Sequence, residues 1–301
     1  MANVMEDIEF RKEEKHLDST VKVLRHAKEQ MEESIGSLGK ETVHKLKELR
    51  ENQETDALDF FMYLEQIHEK HQAFNLKDKF KRIEELSQSL DIPYFARIDL
   101  KNKSDDTNKR IYIGKFGYSD KDMNEPLVTD WRSKIGSVYY RFRYPQKNVR
   151  YKTPEGTKIR DLILKRTFDI SEGVLNKYYN NDIHLDENEI IAKKIEERTG
   201  GVLEDIVETI QESQLDIIEE DPRSPCIVQG CVGSGKSTVA IHKLSHIFFN
   251  YPKLIDPTKA ILIAKKQVLV SYLATLFPKL GIFDINYKTL GELIYNLVFR
   301  E

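Results

Sequence analysis

Residues 230–237 read GCVGSGKS. Gly230, Gly233 and Gly235 permit a tight turn whose backbone N–H groups converge. Ahead of a helix N-terminus, such a turn makes a cradle for phosphate oxygens. The spacing satisfies G-x-x-x-x-G-K-[ST], in which the lysine reaches the terminal phosphates and the hydroxyl binds magnesium. Here those residues are Lys236 and Ser237; Cys231, Val232, Ser234 and Thr238 complete the loop and the helix start. The chemistry implied is the binding of a magnesium-complexed polyphosphate. It requires a strand leading into the turn and a helix leading out. Cys226, Ile227 and Val228 form a short apolar run before the turn, and Val239, Leu244, Ile247 and Phe248 recur at helical spacing after it. Both flanks fit, which argues against an accidental glycine-rich loop.

Other candidate groups are weaker. His242 and His246 lie four apart on the helix after the loop, as a zinc pair would. HKLSH has no intervening glutamate and no third ligand nearby, so packing explains the pair better than metal. No Ser/His/Asp or Cys/His arrangement stands out. The two cysteines, Cys226 and Cys231, are too few for a disulfide framework and read as reduced thiols of a cytoplasmic protein.

The chain that must position the loop has 301 residues, 32% charged and 40% hydrophobic, with a formal net charge of −3. The length suits two or three domains. The mixed charge gives no global basic field of the nucleic-acid-binding kind. No apolar run is long enough to span a bilayer, so no membrane partner is expected, and the N-terminus has no apolar core of the signal-peptide type.

Three segments follow. In residues 1–92, Leu17, Val21, Leu24, Met31, Ile35 and Leu38 form one sparse apolar seam, and Phe60, Leu64, Ile67, Phe74, Phe80, Ile83 and Leu90 a second. Gly36 and Gly39 weaken the first helix by about 1 kcal/mol each. Between the seams, ENQETDALD carries Glu51, Glu54, Asp56 and Asp59 and no base. Two long antiparallel helices with an acidic tip are expected, an arm of about 45 residues reaching on the order of 65 Å. Residues 93–185 hold strand-like runs, RIYIGKFGY, SVYYRFRY and IRDLILKRTFDI, separated by KSDDTN, DMNEP and TPEGT. Their aromatic and basic mixture, with Trp131 in TDWRS, suits a strand-rich core better than a nucleic-acid platform. Residues 186–301 turn helical up to the loop unit. KAILIAKK then reads as a strand, and VLVSYLATLFPKLG as a helix closed by Pro278 and Gly281. Strand, loop, helix, strand, helix opens a parallel doubly wound sheet. The expected class is thus α/β: a partial P-loop NTPase (RecA-like) lobe preceded by a coiled-coil arm and a small β-rich region.

Upstream of the loop, IQESQ contains Gln214, where superfamily 1 helicases of the UvrD/Rep type place a glutamine. PYFARIDL, YIGKFGY, VTDWRSKIGSVYY and LKRTFDISEGVL, in that order across residues 93–175, resemble the HelD family, helicase-like factors that bind RNA polymerase. The resemblance implies an ATPase of helicase fold that releases stalled polymerase from nucleic acid, DNA or RNA, with its arm in the polymerase secondary channel. It implies that Gln214 reads adenine, Lys236 contacts the β- and γ-phosphates, Ser237 holds Mg2+, and Gly233 and Gly235 supply loop backbone. The acidic residues 51, 54, 56 and 59 fall at the arm tip. The loop departs from the family in Cys231, Val232 and Ser237, and the segment after Trp131-Arg132 carries Ser133-Lys134 instead of Ala-Pro. After ILI, Ala264-Lys265-Lys266-Gln267 replaces a Pro-Asn turn.

Hydrolysis by such motors needs a magnesium-holding acid pair and arginines from a second lobe. Neither is recognisable after Ser237, and Asp256 and Asp284 occupy loop-like settings. The chain is therefore expected to be the N-terminal portion of a longer protein, binding ATP weakly and hydrolysing it negligibly. Two rival functions remain open: a DNA helicase or repair translocase of the same superfamily, and a non-catalytic polymerase-binding protein.

Overall fold

The computed structural model describes residues 2–35, 70–119, 125–153, 156–181, 210–231, 233–282 and 285–299. The acidic quartet Glu51, Glu54, Asp56 and Asp59, the loop residue Val232, and Asp284 lie outside the described residues. The architecture is mixed α/β, with seven α-helices and a mixed sheet among the described residues. The chain divides into two compact units: Met1–Leu24 with Gln88–His246, and Arg25–Ser87 with Ile247–Glu301.

The first unit is built on six strands: β1 (Ala96–Lys101), β2 (Asn108–Gly114), β3 (Thr129–Asp130), β4 (Gln146–Thr153), β5 (Gly156–Ser171) and β6 (Val174–Asn180). The sheet order is β3-β2-β1-β5-β4, with β6 also pairing β5. All ladders are antiparallel except the short β2–β3 pairing. The 16-residue β5 organises the sheet. β1 runs along one edge of it, while β4 and then β6 share the other. Turn chemistry explains the hairpins: Gly156 (φ +124°) and Gly173 (φ +72°) take backbone conformations that L side chains disfavour.

Helix α1 (Ala2–Glu33) begins in this unit. Its Leu17 is buried with Tyr94, Tyr112, Val128, Phe168, Ile170 and Leu175, and Phe10 and Val21 pack against that cluster. The sheet register explains a polar contact on the same face. Arg97 pairs opposite Tyr112 on one side and Arg166 on the other, so the three form one row. Glu13 sits on that row, 2% exposed. It accepts from Arg97 Nη1 at 2.5 Å, from Tyr112 Oη at 3.0 Å and from Arg166 Nη1. Burial disfavours the Arg97 cation, but bonding to Asp99 and the charges of Asp99 and Glu13 outweigh it and hold its pKa above the ordinary value.

One expected strand is not one. Within SVYYRFRY, residues Ser137–Arg141 form a short helix, α3. Ser137, Val138, Tyr139 and Tyr140 are all buried. Four consecutive buried side chains conflict with the alternation of a half-buried strand, whereas a helical turn spreads them around its axis. Tyr139 meets Phe95 edge-on at 5.7 Å, and Tyr140 meets Trp131 at 6.2 Å. Gly136 makes the entry possible, because a Cβ there would stand 2.7 Å from the carbonyl oxygens of Asp130 and Trp131.

Two further helices complete this unit's described part: α4 (Glu212–Glu219) and the first residues of α5 (Lys236–Asn250). The run before the loop forms no strand: residues 225–230 are irregular, and Ile227 is 93% exposed. A strand exists only through its ladder, and this run pairs with no strand among the described residues.

In the second unit, α2 spans Lys70–Asp91 and continues to its end in the first unit. Phe80, Ile83 and Leu86 form its buried stripe. β7 (Ile261–Ala264) and β8 (Asn286–Thr289) pair in parallel, connected by α6 (Gln267–Leu276) and a 3-10 turn at Pro278–Leu280. Gly281 closes the turn at φ +73°. α7 (Leu290–Val298) follows, opened by a capping box in which Thr289 and Glu292 bond reciprocally. The strand over KAILIAKK and the helix after it form as the sequence pattern indicates; β8 and α7 are additions. Asp256 caps the turn at Pro257–Lys259, accepting from Thr258 N at 3.0 Å. Among the described residues, no helix is long and apolar enough to cross a membrane.

Candidate functional site

The glycine-rich loop leads directly into α5, which starts at Lys236. Gly233 (φ +84°) and Gly235 (φ +78°) both adopt left-handed backbone, so the loop uses two of its glycines for conformations L residues resist. Gly230 serves close approach instead: a Cβ there would lie 2.6 Å from Ser234 Oγ. Ser234 N donates to Cys231 O at 3.3 Å, and Val239 N begins the helical ladder on Gly235 O at 2.9 Å. Lys236 Nζ folds back and donates to Cys231 O at 2.5 Å. The loop's own carbonyl thus holds the ammonium over the turn. Ser237 is exposed at the helix start and Thr238 is buried beside it. Cys226 and Cys231 are free thiols.

Gln214, sixteen positions upstream of Gly230, is brought to the same place. Its Nε2 lies 3.5 Å from where a Cβ on Gly235 would stand. Gln214 sits in the first turn of α4, and its Oε1 accepts from Gln211 N at 3.1 Å. The amide oxygen is thus engaged by the helix start, which directs the NH2 group to the loop. Leu215 and Ile218, each 1% exposed, anchor the other face of α4.

Two basic side chains hydrogen-bond to α4, and Lys134 lies 4.0 Å from its Glu219. Lys243, on α5, donates to the carbonyls of Ile217 at 2.8 Å and Glu220 at 3.0 Å. These are carbonyls at the C-terminal end of α4, where a cation also meets the negative end of the helix dipole. Arg141, at the end of α3, donates to Asp216 Oδ1 at 2.9 Å and to Glu219.

α5 is held by the segment TDWRS. Trp131 is 2% exposed and meets His242 edge-on at 5.6 Å. Asp130 receives Arg132 Nε at 2.8 Å and Nη2 at 2.6 Å, and Arg132 Nη1 reaches Ser245 Oγ at 3.1 Å. His242 Nδ1–H donates to Thr238 O at 2.8 Å. Burial pushes the His242 pKa down to about 4, with the charges of Lys115 and Arg132 adding to it. Burial likewise takes His246 to about 3, assisted by Lys134, Arg132 and Lys243. Both histidines are neutral packing residues of the helix that carries the loop. Among the described residues, no group of three or more His, Cys, Asp or Glu could hold a metal ion.

Of the candidate residues, the structure gathers Gln214, Gly230, Cys231, Gly233, Ser234, Gly235, Lys236, Ser237 and Thr238 at one exposed turn. Sequence reasoning missed Arg141 and Lys243. Arg141 lies 75 positions from Asp216, a separation no local pattern reports.

No curated protein matches the chain. The family model described as the N-terminal domain of DNA helicase IV HelD matches residues 10–194. That range contains Glu13, the whole six-stranded sheet, the Trp131 segment and Arg141, and ends before Gln214 and the loop. A match over more than half of its length establishes that the chain belongs to the DNA helicase IV HelD family, of which it carries the N-terminal domain.

Proposed function

We propose that this HelD-family chain binds ATP with Mg2+ at residues 230–238 and uses its N-terminal helices to engage RNA polymerase, serving a cytoplasmic helicase-like motor that acts on polymerase and its DNA or RNA. The observation that carries the nucleotide reading is the meeting of Gln214 with Gly235 at the head of α5. One element offers an amide to a base edge, and the other offers backbone N–H groups and an ammonium to phosphates. Lys236 has only to exchange the Cys231 carbonyl for a phosphate oxygen. Ser237, exposed at the helix start, would hold the magnesium, which screens the phosphate charge. The parallel β7–β8 pair joined through α6 supports the portion of a RecA-like lobe that falls within residues 247–301. So do the exposed Ile261 and Ile263, since parallel sheets cover both faces.

An antiparallel arm within residues 1–92 is supported by two contacts. Lys79 Nζ donates to Ser34 O at 3.0 Å near one end. Near the other, the Leu90 carbonyl and the Val21 side chain both approach Gly173. Glu51, Glu54, Asp56 and Asp59 fall between these helices in sequence, where a carboxylate cluster suits a cation or basic surface. The region 93–185 is the platform that orients the nucleotide-binding helices.

The test is equilibrium binding of ATP and inorganic triphosphate to the chain and to Lys236→Ala, with phosphate release followed in parallel. Weak binding that the substitution abolishes, with negligible turnover, is expected. Equal binding by both proteins refutes the nucleotide site. Turnover of about 1 per second that requires Lys236 refutes the absence of hydrolysis. Co-purification with RNA polymerase tests the partner.

A further inference from the structure

The helix carrying Gln214 is short, and long-range cations seat it: Arg141 and Lys243 by hydrogen bonds, with Lys134 4.0 Å from Glu219. Helix α4 has eight residues, too few to be stable alone. Leu215 and Ile218 bury its inner face, which fixes how deep it sits and leaves its slide and rotation to other contacts. On one side Lys243 grips the carbonyls of Ile217 and Glu220. Lys243 belongs to the same helix as Lys236, two turns further on, so this grip ties the Gln214 helix directly to the phosphate loop. On the other side Arg141 grips Asp216 and Glu219. There a cavity of about 660 Å3, lined by Ser137, Arg141, Arg150, Thr157, Asp216 and Glu219, opens between α3, the β4–β5 hairpin and α4. Beside this cavity the forked guanidinium spans from α3 to α4. A fork bonded to two carboxylates one helical turn apart resists rotation of the helix about its axis.

We propose that Arg141 and Lys243 are positioning residues for base recognition: they hold the helix carrying Gln214 in register with the phosphate loop, so that the sheet region determines which nucleobase the site accepts. This rests on the nucleotide reading above. Neither cation lies on the loop, and neither is required for phosphate contact. Gln214 stands within about one side chain of Gly235. Even a small rotation of α4 would therefore turn its amide off the plane of a bound base while leaving the loop intact. Helix α3, which supplies Arg141, lies in the part of the chain matched by the family, which gives that domain a role in nucleotide choice beyond support.

The experiment is fluorescence titration of the whole chain with ATP, GTP and inorganic triphosphate. The proteins compared are the parent, Gln214→Ala, Arg141→Met, Lys243→Met and the paired variant Asp216→Asn/Glu219→Gln. The paired variant breaks the Arg141 contact from the helix side and keeps the test alive if Arg141→Met folds poorly. The ATP-over-GTP preference is expected to fall by about fivefold in each clamp variant, the loss of one well-made hydrogen bond, with triphosphate affinity within about twofold of the parent. A merely structural role would weaken ATP and triphosphate together, and that result overturns the proposal. If Gln214→Ala changes the preference but the clamp variants do not, the positioning role is wrong and the nucleotide reading stands. If Gln214→Ala itself leaves the preference unchanged, the base-reading assignment fails and takes this inference with it.

Discussion

At the scale of single residues, the loop and the histidines behind it make opposite demands. Gly235 needs a left-handed backbone at an exposed turn, so Gly235→Ala strains the loop without opening the core. Nucleotide affinity is expected to fall by about tenfold, while stability to urea falls by no more than about 1–3 kcal/mol, the strain of one left-handed L residue. A large loss of stability instead would show that the turn is structural. His242 is buried neutral with its pKa near 4, against an ordinary value of 6.5 in the unfolded chain. The unfolded chain therefore binds the proton first as pH falls. Above about pH 6.5 the group contributes no pH dependence; from there down to about 4 stability is progressively lost, by about 3 kcal/mol for this group. Urea unfolding of the parent and of His242→Gln between pH 7 and pH 4 checks this, and the variant is expected to show the shallower fall. Parallel curves would mean that His242 titrates alike in the folded and unfolded chain.

At the scale of elements, α1 is joined to the sheet by a charge as much as by apolar contact. Glu13 lies on the row formed by Arg97, Tyr112 and Arg166, with every partner buried. Removing one member of such a network leaves the others uncompensated, which costs about 3–5 kcal/mol. Glu13→Ala is expected to lose that much in urea denaturation, and Glu13→Gln less, since its amide oxygen can still accept from one arginine. A cost below about 1 kcal/mol for Glu13→Ala would place the joint in Leu17 and its neighbours alone. Legibility in the sequence divides at this scale. β1, β2, β5, β7 and α6 follow local hydrophobic runs and turn residues. Glu13 occupies a helix that reads as charge-rich with a sparse seam, and nothing in that seam marks one glutamate as buried. Its partners are set by the register of three strands. SVYYRFRY misleads because tyrosine and phenylalanine favour strands on average, while the deciding factor is that four neighbours in a row must be buried.

At the scale of the whole molecule, the boundary of the proposed arm decides how it can be tested. The first 24 residues belong to the compact unit of the sheet, and residues 25–87 do not. Deleting residues 1–92 would remove Leu17 and Glu13 from that unit and unfold the support of the glycine-rich loop. Replacing residues 25–87 with a short flexible linker is the cleaner excision, because Val21 and Leu90 both reach Gly173 and the two cut ends are close. The excised protein is expected to keep the thermal transition of the sheet unit and its nucleotide binding, and to lose RNA polymerase affinity by about tenfold or more. Undiminished polymerase binding would move the docking surface to the sheet unit or to residues 247–301.

The sequence by itself determined the glycine-rich turn, the helix that leaves it, the sheet's main strands and the family. Each is written in spacing over fewer than about a dozen residues or in motifs kept in order, and glycine, proline and apolar periodicity act through the backbone nearby. Tertiary structure alone decided that residues 225–230 are not a strand, that Gln214 meets Gly235, and that Arg141 and Lys243 seat the helix between them. It also decided the burial of Glu13, whose partner Arg166 lies 153 positions away. The physical reason is common to all four. A ladder, a buried charge or a helix seat is stabilised only by a group that folding delivers from far along the chain, and no local propensity carries that information.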